Sequence, residues 1–146
     1  MINLGYVLDD TVIRAYLDGS DTVTLLLSNL AAQPMQIAVP AVAMAVAQAG
    51  HTNERLAEWA GVVENVDNIE LSGLGNISEI GAVSVVLGDL TEDRPAVADA
   101  SAAHTAAVAA HLGLAVLTVE AQRWAPYQPA MPWLEVTLLA EEPGDL

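Results

Sequence analysis

Hydrophobic residues in this chain fall into short apolar runs separated by stretches of helical spacing. Residues 2–8 form the first run, compatible with a strand buried on both faces. Val12, Ile13, Tyr16 and Leu17 then recur at helical intervals until Gly19. Val23, Leu26, Leu27 and Leu30 line one side of a second helix over residues 20–32, and residues 35–39 read as the second strand. Pro40 suits the first position of a helix reaching Gln48, since the N–H it lacks has no partner there. Gly50 closes that helix, and Thr52 is placed to cap the next, whose stripe is Leu56, Trp59, Ala60 and Val63.

The second half continues the alternation. Residues 69–71 predict a short strand and 72–76 a turn. Asn76 followed by Glu79 has capping-box spacing at the head of a helix through Val83, Val86 and Leu87. Residues 88–94 are polar. Pro95 opens a helix to Leu112, and Gly113 stops it. Residues 114–119 are the clearest strand; a short helical turn over 121–124 and a final β-rich run over 134–139 follow. Strands alternating with helices predict a three-layer α/β/α fold on a mainly parallel sheet. One domain over residues 1–140 is expected, with an acidic tail at 141–146.

Charge changes the picture more than size does. Of the 146 residues, 53% are hydrophobic, which supports a sizeable core without staples. Cysteine is absent, which excludes disulfides, zinc–thiolate sites and a thiol nucleophile. Lysine is also absent. Arg14, Arg55, Arg94 and Arg123 face nineteen acids, for a formal charge of −15. Binding nucleic acid through its phosphates relies on cationic side chains, so an RNA partner has to be met through a metal, a basic second protein, or weakly. Acidity that merely keeps an apolar chain soluble is the plainer reading. MINLGYVLDD lacks the basic start of a secretory signal, and no apolar stretch reaches the ~20 residues of a membrane span. A cytoplasmic protein is expected.

Ligands of open α/β sheets meet the carboxyl ends of the strands, so the acids there carry the candidate chemistry. Asp9 ends the first strand, Asp99 lies in the first half of the helix predicted from Pro95, and Glu120 follows the 114–119 strand. Carboxylates gathered closely resist ionisation unless a cation joins them, so such a cluster suits Mg²⁺ or Mn²⁺. Each acid also has a plainer role: Asp9 as a helix N-cap, Asp99 as a partner of the helix dipole, Glu120 as a surface turn residue. Asp10 reads as a solvated neighbour or cap, pairing on the surface with Arg14 four residues on. His104 and His111 share one helix face and are given no metal role, because zinc favours other spacings and more ligands. Trp59, Trp124 and Trp133 are expected to serve packing or an interface.

VLDDTVI near the N-terminus and VADASAAHTAAVAAHLGLAVLTVE over residues 97–120 resemble a PIN domain, including the VapC-type toxins. Such proteins open with a strand ending in Asp near a hydroxyl residue, and close with Asp-Ala on an alanine-rich helix, a strand and a Thr-x-Asp turn. Asp9 with Thr11, Asp99 with Ala100, and Thr118 with Glu120 stand at those places. The resemblance implies a Mg²⁺- or Mn²⁺-dependent endoribonuclease, with Asp9, Asp99 and Glu120 as catalytic metal ligands and Thr11 and Thr118 supporting them. It also implies a homodimer and an antitoxin-like protein partner. Two departures stand out. The family places a Glu at roughly Ala45 or Val46, where this chain has no acid, and Glu120 replaces an Asp. A catalytically inactive PIN-fold interaction or regulatory module is the alternative, and an unrelated α/β subunit a third reading.

Overall fold

A computed structural model describes residues 4–91 and 99–139. Five strands form one sheet in the order β3-β2-β1-β4-β5. They are β1 (Gly5–Leu8), β2 (Gln36–Pro40), β3 (Ile69–Ser72), β4 (Ala115–Thr118) and β5 (Val136–Leu138). Every neighbouring pair is parallel: Val7 lies opposite Ala38 on one side and Val116 on the other. The helices are α1 (Asp10–Leu17), α2 (Asp21–Ala31), α3 (Ala41–Gln48), α4 (Asn53–Asn65), α5 (Ile77–Thr91) and α6 (Ala100–Leu112). A 3-10 turn, Ala121–Arg123, follows β4.

Alternation along the central strands separates two cores. Val7, Ala38 and Val116 pack with α5, α6 and the segment containing Trp124, Tyr127, Met131 and Leu134. Leu8, Ile37, Val39 and Leu117 pack with α1, α2, α3 and α4, around Ile13, Leu27 and Trp59. A parallel sheet covered on both faces needs such near-continuous apolar strands, and β4 is buried at every position. This is the three-layer α/β/α arrangement expected from the sequence.

Local signals set most boundaries. Ser20 and Thr52 cap α2 and α4 by accepting from Val23 N and Arg55 N. Asn76 Oδ1 accepts from Glu79 N at 2.9 Å, opening α5. Gly113 ends α6 in the left-handed region at φ 69°. Three expectations shift. Pro40 is the N-cap of α3 and the last residue of β2, its extended ψ of 132° keeping it in register with Ser72. The apolar helix α5 continues through Gly88 to Thr91, because Val86 and Leu90, one turn apart, are both buried against α6. The helix expected from Pro95 begins at Ala100; Pro95 and the acidic tail lie outside the described residues.

Candidate functional site

Asp9 follows β1 and N-caps α1 with its side chain fully buried. Its Oδ1 accepts from Thr11 Oγ1 at 2.6 Å and from Val12 N at 3.1 Å, and its Oδ2 from Trp124 Nε1 at 2.8 Å. Burial pushes its pKa up, against the hydrogen bonds, that from Thr11 first among them, that favour the carboxylate. Thr11 and Thr118 tie this point to the neighbouring strand end. Their hydroxyls lie 3.0 Å apart, Val119 N donates to Thr11 Oγ1 at 3.1 Å, and Glu120 N donates to Thr118 Oγ1 at 3.3 Å.

Asp99 is the N-cap of α6. It sits ahead of the helix and not within it, because its Oδ1 accepts from Ala102 N at 3.0 Å. The rest of that carboxylate is held by the segment after β4. Arg123 Nη2 donates to Oδ1 at 3.0 Å, Arg123 Nη1 to Oδ2 at 2.5 Å, and Tyr127 Oη to Oδ2 at 2.8 Å. Burial alone would raise the Asp99 pKa, but the bonds from Arg123, Ala102 and Tyr127 outweigh it and hold the acid below its ordinary value.

Arg123 reaches a second acid as well, donating from Nε to Asp10 Oδ1 at 3.0 Å. Asp10 is therefore not a solvated partner of Arg14. It is buried and ion-paired, while Arg14 donates to the Val46 carbonyl. Arg123 lies 5.6 Å from the Trp124 ring centroid, and Trp124 meets Tyr127 edge-on at 6.5 Å. Burial works against the Arg123 charge, yet the bonds and charges of Asp99 and Asp10 raise its pKa above the ordinary guanidinium value. Tyr127 is likewise pushed up, by burial and by its bond to Asp99.

The structure thus brings Asp9 and Asp99 to one rim through the adjacent residues Arg123 and Trp124. Glu120 follows β4 at that rim by its backbone, but its side chain is exposed and makes no hydrogen bond or ion pair with described residues. Ala45 and Val46 on α3 are both exposed. Among the described residues no group of three or more His, Asp or Glu side chains is placed to hold a metal ion. Asp10, Arg123, Trp124 and Tyr127 were not read as site residues from the sequence. One signal was available: a cation and two aromatics, RWAPY, beginning three residues after the last acid of the ordered set.

A groove of about 490 Å³ lies elsewhere, between the end of β3, the first turns of α5 and the outer side of α6. His104 and His111 line it; Asp9, Asp99 and Glu120 do not. His104 is structural, its Nδ1 accepting from Val42 N at 3.3 Å and supplying the α3 cap that Pro40 has no side chain to provide.

A parallel sheet in the order 3-2-1-4-5, covered on both faces and carrying acids at the ends of β1 and before α6, defines a PIN-like α/β/α domain. Two solved structures share that fold. VapBC2 from Rickettsia felis, bound to a DNA fragment from its promoter, matches with a TM-score of 0.62 at 14% identity, over 91% of this chain and 97% of the other. FitAcB from Neisseria gonorrhoeae matches with a TM-score of 0.56 at 16% identity, over 90% and 95%. No protein-family model and no curated protein matches the sequence. Among the described residues no helix is long and apolar enough to cross a membrane.

Proposed function

We propose that this chain acts by binding a protein partner of the antitoxin type, with its strand-end acids built into the scaffold in place of a hydrolytic centre. The observation that carries the reading is that the gathered acids are already engaged by donors of the chain itself, Asp10 among them through Arg123. Asp9 accepts three hydrogen bonds and Asp99 four, Glu120 stays exposed, and α3 contributes no carboxylate. Mg²⁺ and Mn²⁺ require several free oxygens in a defined geometry, and these residues do not fit that demand. The fold shared with VapBC2 and FitAcB supports a role within a toxin–antitoxin type of assembly. Too few cations remain to track a phosphate backbone: Arg14, Arg55 and Arg123 all engage groups of the chain itself.

The test is RNA cleavage with Mg²⁺ or Mn²⁺ by the wild type beside Asp9→Asn and Asp99→Asn, with folding checked by circular dichroism. The expected result is equal inertness of all three. Cleavage by the wild type that both folded variants lose would overturn the proposal in favour of a second reading. That reading is a homodimeric, Mg²⁺- or Mn²⁺-dependent endoribonuclease with an incomplete metal site, and the shared rim of Asp9 and Asp99 favours it.

A further inference from the structure

We infer that the Arg123 guanidinium is the resident cation of this acidic rim, organising its carboxylates as a metal ion would and leaving the centre independent of metals. The inference deepens the reading of the acids as scaffold and rests on it. An ionised carboxylate offers about four lone-pair sites. Asp99 has all four engaged: Ala102 N and Arg123 Nη2 on Oδ1, Arg123 Nη1 and Tyr127 Oη on Oδ2. No oxygen of Asp99 can therefore join a cation unless a donor leaves. The guanidinium meets Asp99 through two parallel N–H bonds and turns its Nε to Asp10, so one positive charge links two acids from distant parts of the chain.

The surroundings fit a fixed cation. The three side chains are only 14%, 8% and 19% exposed, so water screens the pair of bridges little. All the closing groups come from one short segment. Arg123 neutralises the acids, Trp124 lies beside the guanidinium and binds Asp9, and Tyr127 completes Asp99. Asp10, Asp99 and Arg123 together leave a single net negative charge, which the helix N-terminus capped by Asp99 helps to accommodate. A divalent ion at this rim would have to expel Arg123 and then find its remaining ligands without Glu120 or an acid from α3.

The experiment is a thermal melt of the full chain with MnCl₂ from zero to about 10 mM, a range that covers weak carboxylate sites. Wild type is compared with Arg123→Ala and Arg123→Gln, the latter keeping bulk and an amide donor. The midpoint of the wild type is expected to stay within about 1 °C across the series, since a ligand that does not bind the native state cannot stabilise it. Both variants should melt lower without metal and recover part of the loss with Mn²⁺, because Asp10 and Asp99 are then left without their cation. A variant that folds only when Mn²⁺ is present counts the same way. Variants that Mn²⁺ does not raise, or does not fold, overturn the inference. So does a wild type stabilised by Mn²⁺ through a site that Asp99→Asn removes. That last result would leave the partner-binding proposal standing if RNA still went uncut, so the two fail separately.

Discussion

Trp124→Phe tests whether Asp9 is a fixed internal anion. The substitution removes the indole donor to Asp9 Oδ2 and leaves an aromatic ring in place. Asp9 is fully buried and Trp124 is 1% exposed, so water cannot replace the lost bond without opening the site. A hydrogen bond to a charged group contributes about 1.5–3 kcal/mol. Exchanging indole for phenyl in a closed core adds roughly 1 kcal/mol of lost contact. The expected loss is about 3 kcal/mol, a large part of the 5–15 kcal/mol typical of a domain. The sign of its pH dependence follows from the same bond. Trp124 stabilises the ionised form of Asp9 more than the neutral one, so the deficit is largest in mild alkali and shrinks as acid protonates Asp9, whose pKa burial already raises. Trp59→Phe is the matched control, because Trp59 is equally buried but its Nε1 has no hydrogen-bond partner among the described residues. The same atoms are removed there without breaking a bond, so a smaller, pH-independent loss is expected. Urea unfolding followed by far-UV circular dichroism, at pH 8 and at successively lower pH down to the acid limit of the folded state, measures both. A Trp124→Phe loss that matches that of Trp59→Phe, or that does not change with pH, would refute the anchoring of Asp9 by Trp124.

Two further outcomes follow from the frame around the site. Gly5→Ala should abolish soluble expression or cost more than about 3 kcal/mol in urea unfolding, as strain at a special backbone position does. Gly5 has φ 150°, and an added Cβ would fall 1.8 Å from the Gln36 carbonyl oxygen, inside the β1–β2 pairing. His104 has to stay neutral to accept from Val42 N, and burial lowers its pKa below 6.5. Its contribution is therefore complete above pH 6.5 and is lost as pH falls from there through the folded-state value, with a slope of at most about 1.4 kcal/mol per pH unit. Stability against pH, followed by thermal melts, should lose that slope in His104→Asn, whose Oδ1 can still cap α3.

The alternating fold was legible because it depends on patterns read over many residues. Apolar runs that alternate between two cores marked β1, β2 and β4, and Ser20, Thr52, Asn76 and Gly113 marked helix ends by their own chemistry. The site was legible only in part. Asp9 and Asp99 show in the sequence as acids near strand ends, but what holds them does not. Asp10 and Arg14 have ideal helical spacing, yet Asp10 turns inward to Arg123, since a buried acid gains more from a buried cation than from an exposed one. The start of α6 was misplaced because Pro95 is a strong start signal, whereas Asp99 competes as a side-chain cap closer to the helix. Arg123, Trp124 and Tyr127 act across 24 to 115 residues of sequence, and no local rule relates them to Asp99, Asp10 or Asp9.

The use of the few arginines carries the functional argument one step further. In a chain with nineteen acids and four arginines, most cations would be free at the surface if their task were to meet a polyanion. The three described arginines all turn to the chain itself. Arg55 donates to the Tyr16 and Leu17 carbonyls at the end of α1, and Arg14 to the Val46 carbonyl in the last turn of α3. Both are C-terminal ends of helices, where carbonyls have spare acceptor capacity and the helix dipole favours positive charge. Arg123 joins the beginning of α6 to the beginning of α1 through Asp99 and Asp10. Each thus secures a junction around the helices that cover the sheet, and none of the three is left free for a phosphate. An acidic surface of this kind disfavours a polyanion electrostatically, and the partner-binding proposal accordingly predicts that a basic protein is what it meets.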